Sequence, residues 1–152
     1  MGIRNVLATA IAGLPVINAA IPSISGFTLT WGDDFIGSVN SLPSTSNWII
    51  DTGTSYPGGP ANWGTGEIQT YTSSTNNLKL NGNGALQITA IKSSSGAWTS
   101  ARIETQRNNF VARAGGTMRI QASLNLPNVG SNGIGYWPAF WTLGSSYRGN
   151  YQ

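Results

Sequence analysis

Thr117-Met-Arg-Ile-Gln-Ala-Ser-Leu-Asn-Leu126 alternates without a break. Met118, Ile120, Ala122, Leu124 and Leu126 point one way, and Arg119, Gln121, Ser123 and Asn125 the other. A side-chain period of two belongs to a strand that buries one face, and Pro127 ends it. Working outward, Phe27 to Trp31 alternates ahead of Gly32-Asp33-Asp34, and Trp48 to Asp51 is a short apolar strand closed by Thr52-Gly53. Glu67, Gln69 and Tyr71 share one face of a further run, against Ile68, Thr70 and Thr72. Leu78-Lys-Leu80 and Ala85 to Ile91, joined by Asn81-Gly-Asn-Gly84, read as a hairpin, because Asn-Gly supplies the positive φ angles such turns need. Ser55 to Gly66, with two prolines and four glycines, reads as a long loop over one end of a sheet. No amphipathic helix interrupts the series. The fold class is all-β, with two sheets stacked face to face so that each buries its apolar side.

Charged residues make up 9% of the 152 residues, against about a quarter in an average soluble domain. Aromatic residues make up 10%, which favours a folded β-rich chain over disorder. The net charge is +3, but Lys79, Lys92, Arg102, Arg107, Arg113, Arg119 and Arg148 form neither a run nor a stripe. That spread argues against a nucleic-acid partner. With no cysteine and no histidine, disulfide stapling, thiolate zinc sites and Ser-His or Cys-His catalysis are excluded within the chain. Acid–base chemistry must draw on Asp33, Asp34, Asp51, Glu67 and Glu104.

Arg4, the apolar run Val6 to Ile17 and the small residues Ala19 and Ala20 have the order of a secretory signal peptide. The run is too short to span a bilayer, which takes about 20 residues. Residues 1–20 are therefore expected to be a signal peptide cleaved near Ala19 or Ala20. The mature protein is expected outside the cell, with no membrane partner.

Four motifs then appear in order: Trp31-Gly-Asp-Asp-Phe35, Trp63-Gly-Thr-Gly-Glu-Ile-Gln-Thr-Tyr-Thr72, Trp98-Thr-Ser-Ala-Arg-Ile-Glu-Thr105 and Gly135-Tyr-Trp-Pro-Ala-Phe-Trp-Thr-Leu-Gly144. Together they closely resemble glycoside hydrolase family 16, in particular its secreted fungal endo-β-1,3(4)-glucanases, the laminarinase group. The resemblance implies a concanavalin A-like β-sandwich (jelly roll) whose concave sheet forms a glucan cleft. It implies retaining hydrolysis of β-glucan by a Glu nucleophile and a Glu acid/base, with carboxyls about 5–5.5 Å apart. In the family those acids lie on a strand just after the Trp-Pro-Ala-Phe-Trp strand; here Tyr147-Arg-Gly-Asn-Tyr-Gln152 follows it. Residues 21–152 are accordingly expected to be the N-terminal part of such a domain, an incomplete sandwich without catalytic residues and inactive alone. The whole enzyme is expected to be a monomer. Thr65 departs from the Asn that many members carry in Gly-Asn-x-Glu. Two other readings share the fold: a lectin-like β-glucan-binding sandwich without acids, and a fragment of a cell-wall transglycosylase.

The substrate-binding candidates are Trp137, Trp141, Arg102, Glu67 and Tyr71. Trp137 and Trp141, four apart, share a strand face and offer indoles to sugar rings, while Tyr136, Pro138 and Phe140 face the core. Arg102 shares a face with Glu104, where it either donates to glucosyl hydroxyls or pairs with Glu104 or Glu67. Asp33 and Asp34 supply too few oxygens for calcium, which needs six to eight. They suit a turn or salt bridge, and no metal or cofactor is implied. The expected partner is β-glucan polysaccharide.

Overall fold

The computed structural model describes residues 20–148, so the expected signal peptide lies outside the described residues except for Ala20. The described residues are all-β with three short 3-10 turns and no α-helix. Seven strands are formed: β1 Trp48–Asp51, β2 Thr70–Tyr71, β3 Leu78–Leu80, β4 Leu86–Ile88, β5 Ile91–Lys92, β6 Trp98–Ser100 and β7 Arg102–Thr105. They make three small sheets that do not close on one another. β1 runs antiparallel to β7, β6 lies between β2 (parallel) and β5 (antiparallel), and β3 pairs with β4.

The hairpin forms as its turn residues require. Leu78 pairs with Ile88 and Leu80 with Leu86. Gly82 and Gly84 take φ of 78° and 75°, and Asn81 Oδ1 accepts the amides of Asn83 and Ala85 at 2.7 and 3.1 Å. Leu78 and Leu80 are buried on one face of the hairpin. Buried Asn77 ties this hairpin to its neighbours. Its Nδ2 donates to Thr89 O and Thr99 Oγ1 at 2.9 and 3.1 Å, and its Oδ1 accepts from Thr72 Oγ1 at 2.7 Å.

The Trp98 to Thr105 run is divided at buried Ala101, where the chain leaves the β2-β6-β5 sheet and joins β1. A double exchange between Gly53 and Tyr71, each amide donating to the other's carbonyl at 2.9 Å, links the end of the β1-β7 sheet to β2. Asp33 closes a turn by accepting the Phe35 amide at 2.8 Å, and it also accepts Asn47 Nδ2 and Trp48 Nε1 at 3.0 and 2.8 Å. Trp31, Phe35, Trp48 and Phe110 gather around it in edge and stacked contacts of 5.4–5.7 Å. Of the two roles expected for Asp33, a turn or a salt bridge, the turn is the one observed.

Three expected strands do not form. Phe27 to Trp31, Thr117 to Leu126 and Gly135 to Gly144 carry no ladder. Met118, Ile120, Leu124 and Leu126 are exposed, as are Tyr136 and Phe140, which were expected to face the core. A strand's backbone groups are satisfied by a neighbour and its apolar face by an opposing sheet. Among the described residues no strand is paired with these segments. The loop from Ser55 to Gly66 also holds more structure than a bare loop, as its 3-10 turn Ala61–Gly64 positions the site.

Candidate functional site

The site grows from two pieces of backbone. One is the antiparallel register that sets Asp51, at the end of β1, opposite Arg102, at the start of β7. The other is the turn at Asn62 and Trp63, whose φ angles of 51° and 56° lie in the left-handed region. That conformation is costly for a residue as bulky as tryptophan, and it persists only where the surroundings impose it. Here the Trp63 amide donates to Thr54 O at 3.1 Å, and Asn62 O accepts the amides of Thr65 and Glu67 at 3.2 and 3.3 Å. The result places a buried indole beneath Arg102.

Arg102 is the centre of the arrangement. Its guanidinium lies 4.6 Å from the Trp63 ring, 5.1 Å from the Trp141 ring and 5.4 Å from the Tyr56 ring. Such cation–π contacts strengthen as water is excluded. Arg102 Nη2 donates to Tyr56 Oη at 3.1 Å, and Nε stands 3.3 Å from Asp51 Oδ2. Tyr56 in turn meets the Trp63 ring edge-on at 4.7 Å. Burial, then the neighbouring Glu104 carboxylate, push the Asp51 carboxyl up to about 6, and Arg102 opposes that shift. Arg102 therefore pairs with Asp51, and neither Glu104 nor Glu67, the partners in one of its two sequence readings, takes that place. Glu104 forms its own pair with Arg148 at 3.1 Å.

The polar row read from alternation does assemble. Glu67 Oε2 accepts Gln69 Nε2 at 2.6 Å and Tyr71 Oη at 2.5 Å, while Glu67 Oε1 accepts Thr65 Oγ1 at 2.9 Å. Gln69 Nε2 also donates to Tyr71 Oη at 2.8 Å. Thr65, the departure from the family's usual Asn, thus hydrogen-bonds the motif's acid. Burial, with the hydrogen bond to Glu67 next, pushes the Tyr71 hydroxyl up to about 12, so it remains a donor. The Tyr71 ring lies 5.3 Å from Trp63, which joins this row to the Arg102 cluster.

Of the five candidates, Glu67, Tyr71, Arg102 and Trp141 form one contiguous group. Trp141 is half-exposed, leaving indole surface open beyond the guanidinium. Trp137 is 89% exposed and stands four residues earlier, on the same segment. Three members of the group were not among the substrate-binding candidates read from the sequence: Asp51, Tyr56 and Trp63. Trp63 stood inside a quoted motif. Asp51 and Tyr56 gave no comparable signal, since one looked like a strand terminus and the other a loop residue. Among the described residues no three His, Cys, Asp or Glu side chains gather as a metal site would require.

The described residues form an all-β fold of three small sheets, and its motif series resembles that of glycoside hydrolase family 16. More particularly, the chain is similar to the endo-1,3-β-glucanase of Streptomyces sioyaensis. The two share 54% sequence identity over 88% of this chain and 49% of that one, with a TM-score of 0.85. It is also 33% identical to glucan endo-1,3-β-glucosidase A1 of Niallia circulans, over 80% of this chain and 18% of that protein. A family 16 glycosyl hydrolase of Mycobacterium smegmatis overlaps 53% of this chain at 27% identity, with a TM-score of 0.43, too partial a match to carry weight. No protein-family model matches the chain. It spans about half the length of the Streptomyces structure. The Streptomyces and Niallia relatives are both bacterial, so the likeness does not single out the fungal group named from the motifs.

Proposed function

We propose that residues 21–152 form the N-terminal part of a secreted family 16 glycoside hydrolase domain and supply a binding wall for β-1,3-glucan. The single observation that supports this most is the stack of Trp63, the Arg102 guanidinium and Trp141, continuous with the Glu67–Gln69–Tyr71 row. Indole faces suit the apolar faces of pyranose rings. Guanidinium, amide and phenol groups beside them supply donors to ring hydroxyls. In this reading Trp137 and Trp141 stack on glucosyl units. Arg102 and Tyr71 donate hydrogen bonds, and Glu67 orients Tyr71 and Gln69 and accepts from the sugar.

The same geometry favours binding without hydrolysis. A retaining glycosidase needs one ionised carboxylate and one protonated carboxyl, both free to reach the sugar. Here Asp33 accepts three hydrogen bonds, Asp51 faces Arg102, Glu67 accepts three donors and Glu104 pairs with Arg148. In the complete enzyme the nucleophile and acid/base would come from polypeptide other than these residues. That enzyme would hydrolyse β-1,3 or mixed β-1,3/1,4 linkages with retention.

The test is retention on insoluble β-1,3-glucan together with release of reducing ends. The chain is expected to be retained and to release none above a mock preparation, and Arg102→Ala is expected to weaken retention about tenfold. Passage through the glucan unretained would overturn the binding role. Measurable hydrolysis would overturn the assignment of the acids.

A further inference from the structure

We infer that Asp51 sets the charge preference of this site, holding Arg102 as a neutralised hydrogen-bond donor so that the aromatic wall accepts uncharged glucan and turns away sulfated or carboxylated glycans. The inference rests on the glucan-binding reading above and goes beyond it, to which glycans the wall admits.

The geometry that carries it is the layering around one guanidinium. Trp63 and Trp141 lie against Arg102 at 4.6 and 5.1 Å, Tyr56 Oη accepts from its Nη2, and Asp51 stands against its Nε at 3.3 Å. Asp51 is 7% exposed, so it lies largely beneath the wall, against the guanidinium. A free guanidinium between two indoles would be an anion trap, since its planar fork matches sulfate and carboxylate in a bidentate fashion. With a carboxylate behind it, the pair offers the same N–H groups without net charge. The charges nearby do not restore a positive field. Glu104 and Arg148 form a closed pair at 3.1 Å, and Glu67 adds an acid to the adjoining row.

The choice of an acid at this position has a cost that an amide would lower. Burial penalises the charged form of Asp51. An asparagine there could face the same Nε with less desolvation. What only the acid adds is its charge.

The experiment uses the 152-residue chain and its Asp51→Asn and Asp51→Glu variants. Each is titrated calorimetrically at low salt with a neutral β-1,3-glucan oligosaccharide and with the same oligosaccharide sulfated. The unaltered chain is expected to prefer the neutral sugar. Asp51→Asn should shift the ratio of affinities about tenfold towards the sulfated sugar, an effect that fades as salt is added. Asp51→Glu should keep the original preference, which a purely structural role for the side chain does not require.

A second arm needs no variant. Lowering the pH from about 7.5 to about 5 crosses the Asp51 range while sparing carboxyls that titrate near their usual value of about 4. The groups facing Asp51 are Arg102, Tyr56, Glu104 and Arg148. The unaltered chain should therefore move its ratio towards the sulfated sugar on acidification, and this arm decides should Asp51→Asn fail to fold. Neutral-sugar binding with a ratio indifferent to Asp51→Asn or, where that variant does not fold, to pH overturns the role of Asp51 alone. Failure of the unaltered chain to bind the neutral sugar overturns the glucan reading and this inference with it.

Discussion

Residues 47–106 and residues 110–144 were written in the same alternating code, and the structure treats them differently. In the first region the alternation becomes ladders, with Leu78 fully buried and Leu80 at 5% exposure. In the second, Leu124 and Leu126 carry the same pattern at 60% and 57% exposure, with no strand formed. The difference lies in partners. β1 meets β7 and β3 meets β4 within 60 residues of sequence, and Asn77 ties three segments together with its side chain. No strand among the described residues pairs with Thr117 to Leu126. Periodicity states which face of a strand is apolar, and it takes a second strand to make that face a core.

Leu78→Ala should produce the largest effect on this comparison. Removing a fully buried leucine leaves a cavity that costs about 2–5 kcal/mol, visible as a lower urea midpoint or loss of near-ultraviolet ellipticity. A loss below about 0.5 kcal/mol would mean that the hairpin is not the structural centre of the first region.

Acidity gives the next largest effect, and it acts on the same region. Asp51 moves from an ordinary 3.8 to about 6 because burial disfavours its charge, with Glu104 adding to the shift. A carboxyl whose value is raised on folding holds its proton more tightly in the folded state. Its contribution is full below about 4 and is lost as pH rises through about 6. Stability should therefore fall across that window by roughly 2–3 kcal/mol, with Arg102, Tyr56, Glu104 and Arg148 facing the group that titrates. Asp51→Asn should flatten the profile between pH 4 and pH 6, and an unchanged slope would move the cause elsewhere.

The smallest effect is expected in the second region. Leu124→Thr should change stability by less than about 0.5 kcal/mol, because the side chain is already exposed. It should also reduce aggregation, since it interrupts an exposed apolar row in a segment of strand-forming sequence. Destabilisation as large as that of Leu78→Ala would erase the distinction between the regions.

These outcomes bear on how much could be read from the sequence. The hairpin was legible because Asn81-Gly82-Asn83-Gly84 encodes its own turn, and the Glu67–Gln69–Tyr71 row was legible because period two alone puts the three together. The centre of the site was not. Asp51 reaches Arg102 through the register of two strands about fifty residues apart, and no local pattern specifies that register. Trp63 reaches Arg102 through two consecutive left-handed residues, neither of them glycine, which propensity argues against. The change of sheet at Ala101 was likewise hidden, because the alternation through Trp98 to Thr105 looks continuous.

The central claim is that the Arg102 cluster and the segment bearing Trp137 and Trp141 form the sugar-facing wall. It is tested most directly by following the six tryptophan indole N–H resonances of the chain during titration with a β-1,3-glucan oligosaccharide. Shifts concentrated at Trp137, Trp141 and Trp63, with Trp31 and Trp48 unmoved beside Asp33, are the predicted result. Shifts confined to Trp31 and Trp48, or none at all at saturating sugar, would contradict it.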